Sequence, residues 1–67
     1  MLLDSIKAAQ AQRGWSDGRF AKELGISQSV LSRIKSGKRP LDNVRFLRAV
    51  GRVIPELKMA IANYILE

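Results

Sequence analysis

The 67 residues contain neither cysteine nor histidine, so no disulfide can form and zinc sites of the usual Cys/His kind are excluded. The same absence removes the thiol nucleophile and the commonest general base, so any active site would rest on the acidic residues. The six acidic residues are scattered, with no recognisable pair for acid–base work. No enzyme activity, metal, cofactor or small-molecule substrate is therefore expected. No apolar run approaches the ~20 residues of a membrane span. The start, Met1-Leu2-Leu3-Asp4-Ser5-Ile6-Lys7, lacks a charged segment ahead of an apolar core. A soluble, untargeted chain in a reducing cytoplasm fits these absences. No internal repeat, low-complexity run or linker interrupts residues 1–67, and one domain is expected. Its length is near the lower limit at which a single core folds without staples.

Positive charge is what the chain has in excess, with a net of +6, and it is unevenly placed. Residues 33–52 hold Arg33, Lys35, Lys38, Arg39, Arg45, Arg48 and Arg52 against Asp42 alone. The flanking segments are nearly neutral. A basic stripe of this kind suits a polyanion, since phosphate neutralisation supplies most non-specific DNA affinity. A solvated face that only maintains solubility is the alternative reading.

The stretch from Ser16 to Arg39 reads as two short helices joined by a tight turn. Ser16 caps the first, whose apolar residues are Phe20, Ala21 and Leu24. Gly25 stops it, because the residue closing a helix favours the left-handed conformation that glycine adopts freely. Ile26 plugs the gap between the helices. Ser27 caps the second, with Leu31 and Ile34 inward at spacing three and Gly37 at its end. This is the pattern of a helix-turn-helix, whose second helix enters the DNA major groove.

Gln28, Ser29, Ser32 and Arg33 lie on the side of that second helix opposite Leu31 and Ile34, with Val30 beside them. Glutamine pairs with the N6 and N7 of adenine, and arginine with the O6 and N7 of guanine. Serine serves a base or a phosphate, and Val30 suits a thymine methyl. Ser32 has a second reading, a packing role with its hydroxyl bonded back to the helix.

The run Phe20-Ala21, Leu24-Gly25-Ile26-Ser27-Gln28-Ser29, Leu31-Ser32-Arg33-Ile34 and Gly37-Lys38-Arg39 resembles the phage-repressor and Cro-like, XRE-type helix-turn-helix family. The resemblance covers the 24 residues from Ser16 to Arg39 closely and most of the chain more loosely. It implies an all-α, compact five-helix lambda-repressor-like DNA-binding domain, with the motif in helices 2 and 3. It implies a small transcriptional regulator, Cro-like or a repressor, binding double-stranded DNA in a prokaryotic or phage-infected cell. By the same resemblance Gln28 and Ser29 read bases, with Arg33 further along the groove. Ser27, Lys35, Ser36, Lys38 and Arg39 are the residues expected at phosphates. An antitoxin-like or adaptor module that keeps the fold but binds a protein is the competing function.

The chain departs from the family pattern in three ways. Asp17 stands where members carry a phosphate-contacting Gln; an aspartate suits the helix N-terminus but repels a phosphate, so that contact is not carried over. Gly18 weakens its helix by roughly 1 kcal/mol relative to alanine, which fits either a close approach to DNA or a frayed first turn. Members also pair an Arg late in the first helix with a Glu late in the third. Gln10 and Lys35 occupy these places here, which leaves Lys35 open to solvent or phosphate.

The remaining segments complete the helical count. Leu2 or Leu3, Ile6 and Ala9 fall at helical spacing over residues 2–12, interrupted by Lys7 and Gln10, and Gly14 ends that helix. Trp15 precedes the Ser16 cap, where a hydrophobic staple belongs. Pro40 forces Arg39 out of the helical region. Asp42 is expected to cap a fourth helix with Val44, Leu47, Val50 and Ile54 inward and Gly51 within or near its end. Pro55 opens a fifth helix through Leu66 with an apolar stripe of Leu57, Ala60, Ile61, Tyr64 and Ile65. Part of this helix must close the core. A homodimer, strengthened on DNA, is expected to use Met59, Ala62, Tyr64 and Leu66; core closure alone is the other reading.

Overall fold

The computed structural model describes every residue except Met1, Pro40, Asp42 and Glu67. Its elements are α1 (Leu2–Gln12), α2 (Asp17–Leu24), α3 (Gln28–Lys35), α4 (Val44–Val53), a 3-10 turn over Pro55–Leu57, and α5 (Lys58–Leu66). No strand occurs among the described residues. The expected all-α, five-helix architecture is what the chain adopts.

Local chemistry sets most of the boundaries. The Ser16 hydroxyl accepts from the Arg19 amide (3.1 Å) and the Ser27 hydroxyl from the Val30 amide (3.2 Å). Each cap satisfies a donor that the first helical turn leaves without a partner. Gly25 closes α2 at φ 75°, with Ile26 N–H reaching back to the Ala21 carbonyl at 3.0 Å. Gly37 follows α3 in the same left-handed region, φ 81°, and Lys38 N–H reaches the Arg33 carbonyl at 3.0 Å. Both ends are Schellman turns, which residues with a Cβ form only under strain.

The core is built from one stripe per helix. Ile6, Phe20, Leu31, Ile34, Leu47, Val50 and Ile54 are all but sealed from solvent, and Leu2, Ala9, Ala21, Leu24, Phe46 and Ile61 join them. Trp15 meets Phe20 with ring centroids 5.8 Å apart. This is the staple geometry, in which the residue before the cap packs on the fourth helical residue. The guanidinium carbons of Arg13 and Arg19 lie 5.5 and 5.7 Å from the centre of the same ring, within cation–π range.

Two expectations need correction in the C-terminal half. Asn43 caps α4, its Oδ1 accepting from Arg45 N–H (3.0 Å) and Phe46 N–H (3.3 Å); the cap expected at Asp42 lies outside the described residues, as does the constraint from Pro40. With α4 starting at Val44, the inward stripe is Phe46, Leu47, Val50 and Ile54, and Val44 is half exposed at the helix start. Gly51 lies inside α4, buried against Lys58 and Ile61. The fifth helix begins with the 3-10 turn at Pro55 and continues as α5. Ile61 is buried and Leu57 and Ala60 pack partly on the core, whereas Tyr64 and Ile65 are exposed.

Candidate nucleic-acid interface

The outer face of α3 gathers Gln28, Ser29, Ser32 and Arg33 around one shallow, open concavity. All four are exposed. Their spacing puts them on one side of two helical turns, opposite the buried Leu31 and Ile34. The concavity mixes amide, hydroxyl and guanidinium groups, the donor and acceptor types that match base edges.

Val30 is not part of this face. It is half-buried and packs on the core cluster, outside the concavity that the other four residues line. Ser27 sits at the rim with its oxygen engaged as the α3 cap. The Ser36 hydroxyl donates to the Arg33 carbonyl at 3.1 Å. Lys38 and Arg39 follow α3 as exposed cations with no ion-pair partner among the described residues. Farther along the chain, Arg45, Arg48 and Arg52 stand exposed on the outer side of α4.

Lys35 corrects the expectation of a free cation. Its Nζ lies 2.5 Å from Asp17 Oδ1 and donates to Gln10 Oε1 at 3.0 Å. Gln10 Nε2 donates to the same Asp17 oxygen (2.8 Å) and to the Trp15 carbonyl (3.0 Å). Gln10, read from sequence as an interruption of the α1 stripe, is thus a buried residue with every polar atom used. The Asp17 carboxyl is held below the usual aspartate range, first by the Gln10 hydrogen bond and then by Lys35. This network ties α1, α2 and α3 together and fixes the start of α2 against the end of α3.

A second tie was not foreseen from sequence. Arg13 pairs with Glu56 through two hydrogen bonds of 3.0 Å each, joining the end of α1 to the turn before α5. The partners are 43 residues apart, and nothing local in either segment signals the pairing. Glu56 is held below the ordinary glutamate range, chiefly by that hydrogen bond.

On α5 the candidate association residues divide. Met59, Ala62 and Leu66 recur at spacings of three and four and share one exposed side. Tyr64 faces a separate cleft with Leu2, Leu3 and Ala60. Ala62 also borders a groove between α4 and α5 floored by Leu47, Gly51 and Ile61.

Two capped helices in a tight turn, an exposed polar face on the second and cations following it define a helix-turn-helix protein of the DNA-binding kind. The chain belongs to the helix-turn-helix family of XRE type, whose profile matches residues 6–47, from the core residue Ile6 of α1 to Leu47 of α4. No curated protein and no solved structure matches the chain. Family membership makes this a DNA-binding domain of the transcription-regulator kind. No helix among the described residues is long and apolar enough to cross a membrane.

Proposed function

We propose that the protein is a sequence-specific double-stranded DNA-binding regulator, of the repressor or Cro-like kind, that places α3 in the major groove. The observation carrying this reading is the concavity shared by Gln28, Ser29, Ser32 and Arg33 on the exposed side of α3. Gln28 and Arg33 read base edges, with the two serines adding shorter contacts to base or phosphate. Lys38 and Arg39 hold the sugar-phosphate backbone, where position matters more than sequence. Ser27 and Ser36 flank the same stretch. The Ser36 hydroxyl is spent on the Arg33 carbonyl, whereas the Ser27 oxygen accepts as the α3 cap and keeps its O–H free to donate to a phosphate. The protein acts as a homodimer on two half-sites, because one short recognition helix touches too few bases to specify a site alone.

Selection of bound duplexes from a random pool, followed by titration at several salt concentrations, tests the reading. A defined site should emerge, bound roughly a thousandfold or more tighter than random duplex. Gln28→Ala and Arg33→Ala should each cost about 1–3 kcal/mol on that site and relax preference at separate base pairs. An adaptor module would enrich no sequence and show no steep salt dependence. That outcome would overturn the proposal.

A further inference from the structure

We infer that Gly18 is the residue that positions Gln28 for base reading, an inference that rests on the DNA-reading role proposed for Gln28. Gly18 is the second residue of α2, and Gln28 is the first residue of α3. The first turns of the two helices abut at this point. A Cβ placed on Gly18 would stand 3.3 Å from Gln28 Oε1 and 4.0 Å from its Cδ, with Ser16 Oγ at 3.9 Å. The carboxamide of Gln28 therefore rests against a bare Cα.

The backbone supplies no reason for a glycine here. The positive-φ glycines are Gly14, Gly25 and Gly37; Gly18 is helical, and alanine is the better helix former. What glycine provides at position 18 is room. The atoms that an alanine would displace are the far end of a flexible side chain, so the carboxamide shifts and the helix stays. Bidentate pairing with adenine requires the amide to present its oxygen and nitrogen edge-on. A side chain already held along one wall loses less freedom on binding than one that samples every rotamer. Gly18 thus acts through Gln28 and sets which edge its amide presents.

The test compares the parent, Gly18→Ala, Gln28→Ala and the double variant by selection from a random duplex pool. A thermal melt of each variant checks that it is folded. Gly18→Ala should lower discrimination by about fivefold or more at the base pair that Gln28→Ala affects, the lower end of what one bidentate pair is worth. Other positions should be unchanged, and the double variant should match Gln28→Ala. An unchanged preference in Gly18→Ala, a loss spread over the whole site, or additive losses in the double variant would overturn the inference. The Gln28 side-chain amide resonances of the free protein give a readout independent of DNA. They should shift in Gly18→Ala while those of Gln10 do not. If no duplex sequence is enriched at all, the base-reading role has failed. The resonances then show separately whether the Gly18–Gln28 contact exists, and an unmoved Gln28 amide refutes that too.

Discussion

Lys35 at the end of α3 and Asp17 at the start of α2 form an ion pair of 2.5 Å, and Gln10 of α1 bonds to both. The motif is therefore held by a polar clasp as well as by Phe20, Leu31 and Ile34. Asp17 gains twice from its position. Its charge favours the α2 N-terminus, and its carboxylate accepts from two neighbouring helices. The same pairing sets the Lys35 charge against that of the carboxylate, which unpaired would repel a phosphate.

Removing the clasp should loosen the motif without unfolding it. Asp17→Ala leaves Gln10 and Lys35 without their shared acceptor. Asp17 is more than a third exposed, so solvent screening reduces the loss to about 1 kcal/mol in urea unfolding. Lys35→Met should lose a comparable amount at neutral pH. If Lys35 instead contacted phosphate, its replacement would leave stability intact and weaken DNA binding at low salt.

Stability should also fall in acid, with a definite sign. Asp17 and Glu56 are both held below their ordinary ranges in the folded chain. The unfolded chain then binds protons more readily than the folded one. The contribution of these groups is fully present above the unfolded carboxylate range, near pH 4, and is lost as pH falls through the lower folded values. Thermal melts should therefore be flat from neutral pH to about pH 5 and drop below pH 4. Asp17→Asn combined with Glu56→Gln should flatten the acid limb; an undiminished drop would place the responsible carboxylates elsewhere.

The sequence announced the motif because its signals are local. Ser16, Gly25, Ser27 and Gly37 each govern a helix end within one turn, and Leu31 and Ile34 state the buried face of α3 directly. The clasp was less legible because it joins three segments. Gln10, Asp17 and Lys35 each depart from the family pattern, and taken singly each suggests a lost contact. Only their placement together shows that the contact was rebuilt with different chemistry. Val44 and Val30 were misplaced as well. Leu47, Val50 and Ile54 face inward as expected, but Val44 is the first residue of α4 and stays exposed while Phe46 joins the buried face. Val30, beside the exposed face of α3, packs partly on the core. Arg13 and Glu56 left no sequence trace beyond their opposite charges.

Two glycines should respond to alanine with opposite signs. Gly25 adopts φ 75° and has no atom within 4 Å of a would-be Cβ, so Gly25→Ala pays only backbone strain of roughly 1–2 kcal/mol. Gly51 lies inside α4, where a Cβ would meet Lys58 Cγ at 3.6 Å and Ile61 Cδ1 at 3.7 Å, ordinary contact distances. Gly51→Ala should stabilise by about 0.5–1 kcal/mol through helix propensity. Urea midpoints of the two variants, measured side by side, decide this. Equal effects at both positions would contradict the assignment of one to a turn and the other to a helix.

Lys38 and Arg39 should determine affinity without determining sequence. Replacing either by glutamine should weaken every duplex by a similar factor. The slope of log affinity against log salt should shrink by about one unit for each contact removed. The selected site itself should stay the same. Retention of the full slope in the double variant would move the phosphate contacts to other cations, with Arg45, Arg48 and Arg52 the next to replace.

Self-association is proposed to use one side of α5. Met59 is 77% exposed and Leu66 83%, and Ala62 lies between them in helical register. That side carries no charge, and its exposure is not needed to close the core, which Ile61 already does. A patch on a nine-residue helix is too small for a tight dimer in free solution. Two molecules bound to adjacent half-sites would face each other at high effective concentration, where a weak contact suffices. Leu66→Glu and Ala62→Glu should therefore leave the monomer fold intact while abolishing cooperative binding to a two-half-site duplex. Tyr64→Ser acts at the separate cleft beside Leu2 and Leu3, and should lower stability more than cooperativity. Sedimentation with and without the duplex distinguishes these effects. A protein that occupies each half-site independently, with the parent and Leu66→Glu indistinguishable, would show that α5 only closes the core.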